Sequence, residues 1–100
     1  MKIQNRDALT VVVSGLVELV AANSVQVREQ IRAALPATVL NLDLDLSLMT
    51  FLDSSGLGTL ISLHKTLRSR NGTVRLLKPA PNVLQVLSLT RLDRIFEISK

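Results

Sequence analysis

The chain has 100 residues, a net charge of +4 and no cysteine, which excludes disulfides and thiolate metal sites and bounds it to one small domain, 1–100. Apolar residues make up 47% of it, yet only Phe51 and Phe96 are aromatic, so a core of Leu, Val and Ile is expected. The opening Met1-Lys2-Ile3-Gln4-Asn5-Arg6-Asp7 lacks the apolar stretch of a secretory signal, and no apolar segment approaches the roughly 20 residues of a membrane span; a soluble cytoplasmic protein is expected.

Lys2 to Arg6 and Leu9 to Ser14 read as two strands with Asp7-Ala8 at the turn, the second rich in Val and Thr, and Gly15 ends it. A helix is expected from Asn23 or Ser24, each a good N-cap, to Leu35, with Val25, Val27, Ile31, Ala34 and Leu35 on its apolar side and Pro36 as its stop. Thr38 to Leu46 contains the alternating run of a half-buried strand. After a loop to Leu52, Asp53 opens a helix in which Leu57, Leu60, Ile61, His64 and Leu67 recur at helical spacing, closing at Asn71-Gly72. Thr73 to Leu77 is a strand, Asn82 to Leu89 a short helix behind Pro81, and Ile95 to Ile98 a last short strand. Strands separated by helices imply a mostly parallel sheet with the first hairpin as an antiparallel edge. The expected class is therefore α/β, a mixed sheet of four or five strands with helices packed mainly on one face.

The run Phe51-Leu52-Asp53-Ser54-Ser55-Gly56-Leu57-Gly58 carries the most chemistry. It sets two hydroxyls and a carboxylate in the first turn of a helix, where free backbone N–H groups and the positive end of the dipole favour an anion. A phosphate there would add a charge of about −1.5 to −2 and three acceptor oxygens, changing the surface more than the stability. Asp53 suits an N-cap whose oxygen takes the N–H of Ser55 or Gly56. Gly56 and Gly58 each cost up to about 1 kcal/mol in a helix interior, so close approach of a partner or of neighbouring backbone is expected at them.

These residues resemble the STAS domains, in particular the bacterial anti-sigma factor antagonists. An Asp-Ser-Ser-Gly opens the helix after the central strand in that family and its first serine, here Ser54, is the phosphorylation site. Asp45-Leu46-Ser47, eight residues before Asp53, Phe51 in the aromatic place, and Gly15 followed by Glu18 where the family has Gly-x-x-Asp extend the likeness, as does the tail from Gly72 through Pro81 to Ile98. The resemblance implies the STAS fold and a partner-binding face at Glu18, Asn23, Asp53, Ser55, Gly56 and Leu57. It also implies an anti-sigma factor or serine kinase of the histidine-kinase-like ATPase fold as partner, with a serine phosphatase resetting the switch, no enzyme activity of its own, no cofactor, and a monomer or weak dimer. The alternative it leaves is a non-switching scaffold subunit of a signalling or lipid-transport complex.

Against other classes the residues speak directly. No Asp or Glu lies between Asp53 and Asp93, whereas Lys65, Arg68, Arg70, Arg75, Lys78 and Arg91 do; Lys65, Arg68 and Arg70 suit a helix C-terminus, and without Tyr or Trp direct nucleic-acid binding is not expected. His64 has no second His, Cys or carboxylate at ligand spacing and is read as packing. It lies nearly three turns beyond Ser54, roughly 15 Å along the helix, too far to activate it as a nucleophile.

Overall fold

The computed structural model describes all 100 residues, Met1 to Lys100. The chain forms β1 (Lys2–Asn5), β2 (Thr10–Ser14), β3 (Glu18–Leu19), α1 (Ser24–Ala33), β4 (Asn41–Asp45), β5 (Phe51–Leu52), α2 (Ser54–Arg68), β6 (Thr73–Leu77), α3 (Pro81–Leu89) and β7 (Glu97–Ser99), with a 3₁₀ turn at Leu92–Arg94 before the last strand. The main sheet has five strands in the order β1-β2-β4-β6-β7. Only β1 runs antiparallel to its neighbour; β2, β4, β6 and β7 are parallel.

Alternation along the strands decides which side of the sheet is covered. Register aligns Ile3, Val13, Leu44, Leu76 and Ile98 in one row and Val11, Leu42 and Val74 in the next. These rows join Val27 and Ile31 of α1, Leu60, Leu63 and Leu67 of α2, and Val83 and Leu87 of α3 in one apolar core. The opposite face carries the row Gln4, Val12, Asp43, Arg75 and Glu97. At its centre Asp43 is fully buried by its own counter-ions: Arg75 clasps it with two N–H groups at 2.9 and 2.7 Å, and Arg6 adds a third contact at 2.8 Å. The carboxylate in turn raises the pKa of the Arg75 guanidinium.

Several expectations shift. The central strand is shorter than Thr38 to Leu46, because Val39 N–H closes a turn onto the Pro36 carbonyl and Leu40 N–H bonds Leu9 outside the regular ladder. The last strand begins at Glu97, since Ile95 and Phe96 still bond back to the Leu92 carbonyl. In α1, Val25 is 58% exposed and Ser24 takes the buried place instead. The inward face of α2 is Gly56, Thr59, Leu60, Leu63 and Leu67, while Leu57, Ile61 and His64 sit at its margins. The helix ends at Arg68; Asn71, with φ 59°, makes the left-handed turn expected of Gly72. Gly72 is needed for a different reason, because a Cβ there would strike the Leu40 carbonyl. Arg70 is no helix-end cation: its Nη1 donates to the carbonyls of Leu35, Pro36 and Val39 at 3.2, 2.7 and 3.2 Å, tying down the exit of α1. The two-residue pair β3 and β5, a separate parallel sheet, has no counterpart in the sequence reading.

Candidate functional site

The second sheet positions the junction. Its register sets Glu18 opposite Phe51 and Leu19 opposite Leu52, and the Thr50 N–H and hydroxyl both reach the Val17 carbonyl, at 2.7 and 3.2 Å. The chain therefore arrives at Asp53 already bound to the loop that leads to α1. Asp53 N–H donates to the Leu19 carbonyl at 3.3 Å. Its side chain then works in two directions: Oδ1 accepts the N–H of Gly56 at 3.0 Å, capping α2, and Oδ2 accepts the N–H of Ala21 at 3.0 Å, fastening the turn before α1. The Gly56 N–H above all, helped by those of Ala21 and Ser55 and opposed by desolvation, holds the Asp53 carboxyl below its ordinary value of 3.8. It is a fixed negative charge at neutral pH.

Ser54 follows, exposed, with no protein group bonded to its hydroxyl; Ser55 is half-buried. Of the two, Ser54 is the more exposed. Gly56 is buried, and an added Cβ would fall on the Leu19 carbonyl oxygen and lie 2.8 Å from Leu52 Cδ1. Neighbouring backbone, not a partner, requires that glycine. Leu57 is half-buried, and its N–H completes the first helical turn on the Asp53 carbonyl at 2.9 Å.

Glu18 is exposed, and its carboxylate makes no ion pair. Asn23 neither caps α1 nor presents its amide freely: Oδ1 accepts the Val20 N–H at 2.8 Å and Nδ2 donates to the Glu18 carbonyl at 2.9 Å, bracing the loop that carries Glu18. Ser24 is buried and its carbonyl takes the Thr59 hydroxyl at 3.1 Å. Glu18, Asp53 and Ser54 thus share one surface; Asn23, Ser24 and Gly56 hold it from beneath. Upstream, the Ser47 N–H bonds Asp45 Oδ1 at 2.9 Å and lowers that carboxyl's pKa, forming the turn that sends the chain from β4 toward Phe51. Met1 belongs to the same neighbourhood, lining a shallow cleft with Gly15, Val17, Glu18 and Asn23.

Sequence reading singled out Phe51 and Leu57 but not the exposed Val17 and Leu48 of the neighbouring loops. Phe51 is 67% exposed, Leu48 60% and Val17 54%. Phe51 is one of two aromatics in the chain, and its place beside the serines was the available signal; Val17 and Leu48 carry none, because exposure in a loop follows no periodicity.

A mixed five-stranded sheet with its helices on one side and a helix opening at Ser54 after the central strand is an α/β domain of the STAS fold. The chain belongs to the STAS domain family, whose model matches residues 1–100. Among solved structures it is similar to a protein described as a candidate anti-sigma factor antagonist of Thermotoga maritima, with 29% identity and a TM-score of 0.91 over 99% of this chain and 85% of that one. It is similar at 25% identity and a TM-score of 0.85 to the anti-sigma factor antagonist SpoIIAA in its unphosphorylated form, over 99% of this chain and 87% of that one. The phosphorylated form of the Bacillus protein SpoIIAA, at 24% identity and a TM-score of 0.77 over 99% and 90% of the two chains, shares the fold. No helix here is long and apolar enough to cross a membrane.

Proposed function

We propose that this protein is a phosphorylation-controlled anti-sigma factor antagonist. Unphosphorylated, it binds an anti-sigma factor or serine kinase of the histidine-kinase-like ATPase fold through Glu18, Asp53, Ser55, Leu57 and exposed Phe51, over a frame held by Asn23 and Gly56. Phosphorylation of Ser54 releases the partner, and a serine phosphatase resets the switch. The observation that carries this reading is the free, exposed Ser54 hydroxyl beside an ionised Asp53 on a frame built of backbone hydrogen bonds. A structural relative, SpoIIAA, exists in both unphosphorylated and phosphorylated forms, which supports it.

The electrostatics give the direction. A phosphoryl group on Ser54 would stand next to the Asp53 carboxylate, and a partner covering both would have to desolvate two like charges. Ser54→Ala should bind the anti-sigma partner as tightly as the unmodified protein, and Ser54→Asp roughly tenfold to a hundredfold more weakly in calorimetric titration. Equal affinity for the two variants would sink the switch and favour the scaffold reading. Intact mass of protein from its native cell, with and without phosphatase, checks the modification itself.

A further inference from the structure

Down the helix from Ser54, one flank of α2 has a shape and charge that neither the core nor the switch explains. Gly58 lies one turn below Ser54 and is exposed, and a Cβ there would meet nothing within 4 Å. Nothing inside the molecule needs this glycine, although it stands in a helix where Ala is preferred. Beyond it Ile61, Ser62, Lys65 and Thr66, with Arg32 of α1, line a shallow groove of about 390 Å³.

The charge of this groove has one sign. Helix α2 contains no acidic residue and α1 only Glu29, which is engaged by Arg28 at 3.2 Å. Some of the other basic residues have internal work, Arg6 and Arg75 on Asp43 and Arg70 on three carbonyls, while Lys2, Arg68, Lys78, Arg91, Arg94 and Lys100 pair with no carboxylate and lie outside the groove. Lys65 and Arg32 pair with no carboxylate, and Arg32 reaches only the Thr66 hydroxyl at 3.5 Å.

We infer that this groove takes an acidic polypeptide segment of the same partner that docks at Ser54, a deepening that rests on the partner-binding reading above. The bare backbone at Gly58 admits a main chain or side chain at close range, Ile61 offers it an apolar seat, and Lys65 and Arg32 meet its carboxylates roughly 10 Å further along the helix. A nucleic acid fits the groove less well, because no aromatic residue lies there for a base to stack on. An anionic membrane is poorly served by two cations in a concave seat, where polybasic clusters of several are the rule.

Amide chemical shifts of the full chain, titrated with a synthetic Glu/Ala/Leu peptide and with a Lys/Ala/Leu peptide of equal length, test this. The acidic peptide alone should shift Gly58, Ile61, Ser62, Lys65, Thr66 and Arg32. The paired substitution Arg32→Glu with Lys65→Glu should weaken it on the order of tenfold, and salt should weaken it in the unaltered protein. Gly58→Ala, which leaves the fold intact, should also weaken it. Shifts spread equally over Lys78, Arg91, Arg94 and Lys100, an unchanged affinity in the charge-reversed protein, or tighter binding at these residues to oligo-dT or phosphatidylserine vesicles would overturn the assignment. The titration uses neither the partner nor a modified Ser54. Its failure would leave the Ser54→Ala and Ser54→Asp comparison standing, and equal binding of those two variants would leave a positive titration standing.

Discussion

At the scale of single residues, the two glycines of α2 have opposite meanings although they are two positions apart. Gly56 faces the Leu19 carbonyl so closely that a methyl group would displace β3 or the helix start. Gly56→Ala should therefore destabilise by about 1–3 kcal/mol, as overpacking against backbone does. Gly58 faces open space, so Gly58→Ala should stabilise the isolated protein by about 0.5–1 kcal/mol. Urea unfolding of both variants reads the two signs directly. The sequence showed both glycines to be costly and left open what approached them; only the fold assigns backbone to one and open surface to the other. Asp53 was legible as the cap of α2, since Asp three residues before a glycine N–H is a local pattern. Its second bond, to Ala21, spans 32 residues and follows no local rule.

At the scale of elements, strand alternation foretold which side of the sheet is apolar but not what lies on the other. Asp43 occupies a polar position of β4 and would read as solvated, yet it is fully buried beneath Arg6 and Arg75. Asp43→Ala leaves two guanidinium groups converging on an empty place. It should cost about 2–3 kcal/mol in thermal or urea unfolding, less than the roughly 3–5 kcal/mol of a fully enclosed pair because both arginines are partly solvated. An Arg6→Gln change should cost far less, since Arg75 alone retains the two-pronged contact. The pair β3 and β5 escaped the sequence for a physical reason: two residues per strand show no period, and their pairing joins segments that lie 33 positions apart. That small sheet is nevertheless what brings Glu18 and Phe51 to the serines.

At the scale of the whole molecule, the order of elements and the parallel sheet were legible because long periodic segments and a Pro or Gly stop specify them, whereas the closure of the chain on itself was not. His64 shows why. It was read as packing, and it packs edge-on against Phe96, with ring centroids 5.4 Å apart, joining α2 to the C-terminal segment. Burial, then the neighbouring Arg68 charge, lowers its pKa from the ordinary 6.5. The unfolded chain then binds a proton that the folded one resists, so this contribution is present above 6.5 and is lost as pH falls from there through the folded value. The melting temperature should fall as pH drops below about 6.5, and His64→Gln should flatten that part of the profile while leaving the acid limb governed by Asp45 and Asp53. A profile unchanged by the substitution would remove His64 as the cause. The placement of the chain ends has a practical consequence. Lys2 pairs with Ser14 and Ser99 with Leu77, so both ends emerge where the parallel strands finish, and Met1 lines the cleft beside Glu18 and Asn23. A purification tag or fused domain ahead of Met1 would hang over the face proposed to meet the partner, so affinities measured with such a handle would report its obstruction as well as the binding, while one placed after Lys100 starts from the far edge of the sheet.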